Sequence, residues 1–191
     1  MSATERPTAG PPPRGSDSFT SFTSVQPVEF RQAMRNLASG VAIVTAGAGD
    51  SRRGLTVSSV TSVCNDPPCL LVGINTSSET HDLILASGSF AINLLREGQE
   101  QLARRFAGYD GIAGVARFEG APWDRGLTGA PLLATSICAI ECVLHQHHVV
   151  GSHGIFIGRI VATQSSAGGP VVNFQGELRN VSAVDEDSRT S

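Results

Sequence analysis

The sequence predicts a mainly β domain, a closed or nearly closed antiparallel barrel with helices on its outside. Seven short segments rich in apolar and β-branched residues are typical of strands. The segments after residue 130 follow one another with no helix between them, which disfavours a doubly wound parallel sheet. The 21 Gly and 10 Pro indicate many turns.

One folded domain is expected, over residues 27–183. Residues 1–26 contain four Pro, nine Ser or Thr and few bulky apolar side chains. Such a segment cannot bury enough apolar surface to offset the entropy lost on ordering, so a disordered N-terminal tail is predicted. Residues 184–191 are polar and acidic and are predicted to form a flexible C-terminal tail.

Helices are predicted where apolar residues recur at helical spacing. Phe30, Met34 and Leu37 are spaced i, i+4, i+7 in a helix over 27–38, and Gly40 follows as a stop signal. The second helix, over 80–87, has Ser and Thr available as caps and an acidic residue in its first turn. The third, over 97–107, pairs Leu102 with Phe106 at i, i+4.

The strands are short apolar runs bounded by Gly, Pro and Asn. The run 69–74 is apolar throughout and is expected at the centre of the sheet. Residues 108–131 contain six Gly and two Pro and are predicted to form a long loop. The complete set of predicted strands is 41–46, 54–63, 69–74, 89–95, 138–144, 155–163 and 171–174.

The composition excludes several classes of protein. The chain has no lysine, so neither a Walker phosphate loop nor a pyridoxal phosphate Schiff base is available. The net charge of −3 without a basic stripe disfavours nucleic acid as a partner. No apolar run reaches the ~18 residues of a membrane helix, and no signal peptide is evident, so a cytoplasmic location is expected. The four cysteines are expected to be reduced thiols: Cys64, Cys69, Cys138 and Cys142.

Two runs of hydroxyl side chains could hold a phosphate or a ribityl chain. In the run 56–62, strand alternation places Thr56, Ser58, Val60 and Ser62 on one face. An ordinary solvated strand face would look the same. The run 75–81 lies between a buried strand and a helix start, where an anion is favoured, although simple helix capping also accounts for it.

Charged and imidazole groups provide two further candidates. The pair Arg104 and Arg105 could clamp a phosphate or could form a solvated helix face. On a regular strand, Glu141, His145 and His147 share one face, and two His with a carboxylate is a ligand set for non-haem iron. His153 lies in a tight glycine-bounded turn, where it could touch a ligand.

Taken in order, these segments resemble the short-chain flavin reductases, the reductase components of two-component flavin-dependent monooxygenases. The resemblance spans roughly residues 30 to 175. It rests on FRQAMRNLASGVAIVTA (30–46), GLTVSSVTSVCNDPPCLLVGINTSSETHDLI (54–84), SGSFAINLL (87–95), LARRFAG (102–108), GAPLL (129–133) and GSHGIFIGRI (151–160).

The resemblance implies a flavin-binding split barrel with flanking helices, assembled as a homodimer with flavin near the subunit interface. It implies that flavin contacts come from Thr56, Val57, Ser58, Ser59, Thr61, Ser62, Asn75, Ser77, Ser78, Thr80, Arg105, Phe106 and Ala107. His153 would lie beside the nicotinamide. Two residues depart from the family pattern: Cys64 replaces a common Ser, and Ser152 replaces the Asp usual before the His.

The expected activity is hydride transfer from NADH or NADPH to FMN or FAD, which supplies reduced flavin to a partner monooxygenase. The flavin carries this chemistry, so no catalytic side chain and no metal are expected. Two alternatives remain open at this point. One is a flavin-binding module without enzymatic activity, and the other is a metal-dependent oxygenase that uses Glu141, His145 and His147.

Overall fold

The computed structural model describes residues 23–181. The predicted tail 184–191 and residues 1–22 of the other predicted tail lie outside the described residues. The chain divides into one unit that ends at Met34 and a second that starts at Arg35. The helix α1 (Pro27–Met34) belongs to the first and stops four residues before the predicted Ala38. The Arg35 carbonyl accepts a hydrogen bond from Gln175 N at 2.8 Å rather than from a following helical turn.

The second unit is built mainly of strands. They are β1 (Ser39–Gly40), β2 (Ala42–Ala46), β3 (Arg53–Val57), β4 (Val60–Asn65), β5 (Pro68–Asn75), β6 (Ser89–Leu94), β7 (Trp123–Arg125), β8 (Pro131–Leu133), β9 (Cys138–Val150), β10 (His153–Ser165), β11 (Val171–Phe174) and β12 (Glu177–Asn180). Two helices interrupt them, α2 (Glu79–Ser87) and α3 (Glu100–Phe106). The prediction of a mainly β fold is therefore confirmed.

Seven strands form one antiparallel sheet in the order β3-β2-β6-β9-β10-β5-β4. The strands β3 and β4 are consecutive in the chain but lie at opposite edges, so the sheet curls around its core without closing. Its inner face buries a cluster that includes Val44, Ile74, Phe90, Ile92 and Phe156. Smaller sheets pair β1 with β11 and β12, and β7 with β8.

The single strand predicted over 54–63 is wrong. The structure breaks it at Ser58 and Ser59, after which the chain leaves β2 and pairs with β5 instead. The Ser59 hydroxyl donates to the Gly73 carbonyl at 2.8 Å and accepts from the Gly73 N–H at 3.2 Å. This bonding holds the crossover in place, so the alternation that put four residues of 56–62 on one face does not hold.

The hairpin of β9 and β10 is longer than predicted. Polar residues at 145–148 hide the strand period, but the cross-strand ladder continues to the pair Val150 and His153. His145 is an extra residue in this ladder, because Leu144 pairs with Gly158 and Gln146 with Ile157. A bulge of this kind reverses the alternation of side chains. Two residues an even number of positions apart, one before the bulge and one after it, therefore point to opposite faces of the sheet.

The predicted loop 108–131 contains a 3₁₀ turn over Gly114–Phe118 and the strand β7. Phe118 packs edge-on against Phe106 of α3, and Trp123 contacts both rings, so this aromatic cluster anchors the loop to the barrel. The strand β12 was not predicted from the sequence either. It follows a two-residue turn in which both Gln175 and Gly176 have positive φ, of 56° and 82°. Within 23–181 no helix has the length and apolar character to cross a membrane.

Candidate active site

A cleft of about 190 Å³ opens at the carboxyl end of β3, and we call it the ring cleft. Four of the residues predicted to bind flavin line it, namely Thr56, Val57, Ser58 and Ala107. The remaining wall comes from the residue before β2, from α3 and the turn after it, and from the β11–β12 hairpin. These residues are Val41, Ala103, Arg104, Tyr109, Asn173, Gly176 and Leu178.

The hydroxyls near this cleft differ in their availability. Thr56 Oγ1 donates to the Ala103 carbonyl at 2.6 Å and fixes α3 against β3. Ser59 is occupied by Gly73. Ser58 is exposed and has no hydrogen-bond partner within the part of the chain that the structure describes. Of these hydroxyls, Ser58 is therefore the one free to bind a ligand.

A second cleft, of about 210 Å³, opens at the amino end of β3, and we call it the anion cleft. Its walls include Arg53, Arg117 and the predicted residues Ser78 and Thr80. Ser78 caps α2 by accepting from His81 N at 3.2 Å, so the positive end of the helix dipole lies here. Two guanidinium groups and a helix N-terminus favour an anion, and Glu79, 2.9 Å from Arg53, offsets part of that charge.

The Arg117 side chain ties the anion cleft to the fold. Its Nε donates to the Ile112 carbonyl at 2.8 Å, and one terminal nitrogen donates to the carbonyls of Gly54 and Phe106 at 3.3 and 3.4 Å. The second terminal nitrogen has no hydrogen bond to any residue in 23–181 and lies near Gly108. The guanidinium is thus held in one orientation with donor capacity to spare.

The two adjacent arginines of α3 point to different sides. Arg104 lines the ring cleft. Arg105 pairs with Asp110 at 3.3 Å and donates to the Glu119 carbonyl at 2.6 Å, on the far side of the helix. Successive helical residues diverge by about 100°, which separates them. Phe106, also predicted to contact flavin, is only 1% exposed and packs in the aromatic cluster.

His153 begins β10 and lies on the rim of the barrel, near the crossover at Ser58 and Ser59. It pairs in register with Asn75, whose Oδ1 accepts from the Ser77 N–H at 2.9 Å and the Ser77 hydroxyl at 2.8 Å. Ser152 Oγ lies 3.0 Å from His153 Nδ1, so the residue that departs from the family pattern still touches the ring. Asn75 lies two residues beyond Gly73, the partner of Ser59. The predicted residues Asn75, Ser77 and His153 therefore share one rim.

Thr61 and Ser62 lie apart from both clefts. They belong to β4, at the other edge of the sheet, where they pair with Leu71 and Leu70. Both side chains are exposed. The strand break at Ser58 and Ser59 separates them from the ring cleft.

Two imidazoles pack behind the rim. His81, only 6% exposed, contacts the rings of His147 and Phe156 edge-on. Neither His81 Nε2 nor His147 Nε2 has a hydrogen-bond partner among the described residues. A Cβ at Gly154 would lie 2.7 Å from His147 Nε2, so only glycine fits between these rings. Burial, and then the neighbouring His81 and His148, lower the pKa of His147.

The metal site considered from Glu141, His145 and His147 does not form. The buried Glu141 carboxylate accepts hydrogen bonds from Leu127 N, Thr128 N and the Thr128 hydroxyl at 3.0, 2.7 and 2.8 Å. The bulge at His145 puts Glu141 and His147 on opposite faces, and the five strand residues between them hold their Cα atoms about 20 Å apart. No group of three potential ligands able to hold a metal occurs in 23–181.

Several residues that line the clefts were not predicted. Arg53 and Arg117 come together only because loop 108–131 folds over β3, and no local sequence pattern predicts that contact. Asn173 and Leu178 come from the β11–β12 hairpin. The Gln175-Gly176 pair between two apolar runs was the available signal for that hairpin.

The chain is similar to known proteins over most of its length. A family model for the flavin reductase like domain matches residues 34–182. The FMN reductase (NADH) RutF of Pseudomonas syringae pv. syringae is 34% identical over 155 residues, 81% of this chain and 86% of that protein. The 4-hydroxyphenylacetate 3-monooxygenase reductase component of Salmonella typhimurium is 34% identical over 146 residues, 75% and 86% of the two chains.

The solved structures show the same architecture. One is the NADH:FAD oxidoreductase SgcE6 of Streptomyces globisporus C-1027, in complex with NAD and FAD fragments. It superposes with a TM-score of 0.76 at 32% identity, over 87% of this chain and all of that one. The predicted flavin reductase-like fold is confirmed. On its sequence and its architecture, this chain belongs to the flavin reductase-like domain family.

Proposed function

We propose that this protein is an NADH-dependent flavin reductase that binds FMN or FAD along β3. The observation that carries the proposal is the position of the two clefts at opposite ends of one strand. Five extended residues span about 17 Å, enough for a tricyclic ring and a ribityl chain laid end to end. The ring cleft offers apolar walls, and the anion cleft offers two guanidinium groups.

The residues present fit a flavin in this orientation. The apolar walls of the ring cleft, from Val41, Val57 and Leu178, suit the ring faces. The free Ser58 hydroxyl is available for the polar edge of the ring. Arg53, Arg117 and the N-terminus of α2 receive the phosphate. Thr61 and Ser62 receive no flavin contact in this arrangement.

A flavin bound in this way would supply the hydride acceptor, its N5 atom, for the hydride carried at C4 of the nicotinamide. The chain's own part is positioning: it must hold the two rings stacked at about 3–3.5 Å. Backbone N–H groups at the crossover would stabilise the negative charge of the reduced ring. We assign the nicotinamide end of NADH to His153; the support is its exposed imidazole at the start of β10, paired in register with Asn75.

The test is steady-state oxidation of NADH and of NADPH, each with free FMN and free FAD. We expect catalytic turnover with NADH, and His153→Ala should raise the KM for NADH more than the KM for flavin. The matched control is His148→Ala, an exposed imidazole on the neighbouring strand. Flavin binding without turnover would identify a binding module and refute the proposal.

The reductase is also proposed to act as a homodimer. In support, the ring cleft has an aromatic side chain on its wall that the described residues leave uncovered. Tyr109 on its wall is 80% exposed, an unusual position for a large aromatic ring. Light scattering should give twice the chain mass, and Tyr109→Ser should weaken flavin binding. A flavin-competent monomer would contradict the assembly.

We further propose that the reduced flavin is passed to a flavin-dependent monooxygenase. The support is the likeness to the reductase component of 4-hydroxyphenylacetate 3-monooxygenase. Because the flavin must leave, its affinity should be moderate. Coupled assays with an oxygenase that takes reduced flavin from solution should give hydroxylated product. Full consumption of NADH without product formation would count against transfer.

A further inference from the structure

Two cysteines face each other across the hairpin formed by β4 and β5. Cys64 pairs in register with Cys69, and the turn between them is only Asn65 to Pro68. Residues directly opposite on antiparallel strands have Cα atoms about 4.5–5.5 Å apart. Disulfides form over Cα separations of about 4.4–6.8 Å, so this pair can be joined without moving the backbone.

The two thiols differ in access. Cys64 is exposed, and its Sγ donates to the Pro67 carbonyl at 3.1 Å. Cys69 is 3% exposed. Burial, followed by a hydrogen bond with the Cys64 thiol, raises the pKa of Cys69, and Arg159 opposite it on β10 acts in the other direction. The pair therefore consists of one thiol open to oxidants and one protected thiol directly opposite it in the ladder.

The other cysteines lack this arrangement. Cys142 is fully buried in the core, and burial raises the pKa of its thiol to about 12. It lies opposite Phe90 and Ile160 in the sheet, so no cysteine faces it across either strand. Cys138 accepts a hydrogen bond from the Ser165 hydroxyl at 3.6 Å and has no cysteine opposite it in the sheet.

We propose that Cys64 and Cys69 are a peroxide-responsive thiol pair that forms a reversible disulfide. The Cys64 thiolate attacks one oxygen of a hydroperoxide, the O–O bond breaks, and Cys64 becomes a sulfenic acid. The Cys69 thiol then attacks the Cys64 sulfur and displaces the hydroxyl as water. In sum, two thiols lose two electrons and two protons, and hydrogen peroxide is reduced to two waters.

Peroxide is an oxidant that this protein would meet in its own work. Free reduced flavin passes two electrons to dioxygen and yields hydrogen peroxide, so a reductase that releases its product is exposed to it. This source rests on the proposed function, whereas the thiol chemistry does not. Added hydrogen peroxide, without NADH or flavin, therefore tests the pair independently.

The absence of lysine makes the measurement simple. Trypsin cuts at Arg53 and Arg96, so both paired cysteines fall in the peptide 54–96, and the other two fall in 126–159. After peroxide treatment, denaturation and alkylation, peptide 54–96 should be unalkylated and lighter by two hydrogens. Peptide 126–159 should carry two alkyl groups, and dithiothreitol should restore alkylation of the first.

Two variants separate the roles. In Cys69→Ser, Cys64 has no partner and should gain two or three oxygens that dithiothreitol does not remove. In Cys138→Ser, the matched control, the disulfide should form as in the parent. A cross-link between peptides 54–96 and 126–159, a link between two chains, oxygen addition to Cys64 in the parent, or full alkylation after peroxide would each overturn the proposal.

Discussion

Gly54 lines the anion cleft and packs against Phe106 of α3, so replacing it with alanine should disturb both clefts. A Cβ at this position would lie 2.9 Å from Phe106 Cε1 and 3.0 Å from the Val44 carbonyl oxygen. The Phe106 ring is 1% exposed and is packed by Phe118 and Trp123, so it has no room to swing away. The accommodation must come from a shift of α3, which carries one wall of the ring cleft.

The magnitude follows from overpacking. An extra methyl group in a well-packed core costs about 1–3 kcal/mol. For a domain of this size each kcal/mol lowers the melting temperature by about 2–4 °C, so Gly54→Ala should melt about 2–12 °C below the parent. Flavin affinity should fall as well, because Ala103, Arg104 and Ala107 move with the helix.

Thermal unfolding followed by circular dichroism, and flavin titration, measure the two effects. The matched control is Gly40→Ala, because a Cβ there meets nothing within 4 Å and the backbone is not in the left-handed region. This variant should behave as the parent does. The packing argument is refuted when Gly54→Ala matches Gly40→Ala in both melting temperature and flavin affinity.

Three further predictions use other contacts. Glu141→Gln should lower the free energy of unfolding by about 1.5–3 kcal/mol, because a charged acceptor of three hydrogen bonds is lost. The control Glu177→Gln, at an exposed carboxylate, should change the free energy of unfolding little. Equal denaturation midpoints for the two variants would contradict this. Because the pKa of His147 is lowered in the folded chain, the unfolded chain binds a proton more readily, and stability should fall as the pH drops below about 6.5. In thermal melts at several pH values, His147→Phe should flatten that dependence of stability on pH. An unchanged slope would count against the burial argument. Ser58→Ala should weaken flavin binding about 2- to 10-fold in fluorescence titrations, and Ser62→Ala on β4 should leave it unchanged; the reverse order would place the flavin elsewhere.

The sequence predicted the fold class and most elements because apolar runs and turn residues are local signals. The helix over 80–87 is an example: its cap Ser78 and its stop Gly88 are both readable in the sequence and both present. The break at Ser58 and Ser59 was missed because it is imposed by Gly73, fourteen residues away. The long ladder of β9 and β10 was missed for the same reason, since cross-strand pairing rather than composition extends it.

The candidate site was predictable only in part. Thr56, Val57, Ser58 and Ala107 were found through the family resemblance and do line the ring cleft. The side of α3 on which each arginine lies depends on where the helix docks, so Arg104 rather than Arg105 faces that cleft. Arg53 and Arg117 meet through tertiary folding of a glycine-rich loop, which no spacing in the sequence reveals.

The most direct measurement mixes a catalytic amount of the protein with excess FMN and NADH in the absence of oxygen, and follows the visible absorbance of the flavin. The account predicts bleaching of many flavins per protein, at a rate proportional to protein concentration, with one NADH consumed for each flavin. Bleaching that stops at one flavin per chain, or that proceeds no faster than without protein, would contradict it.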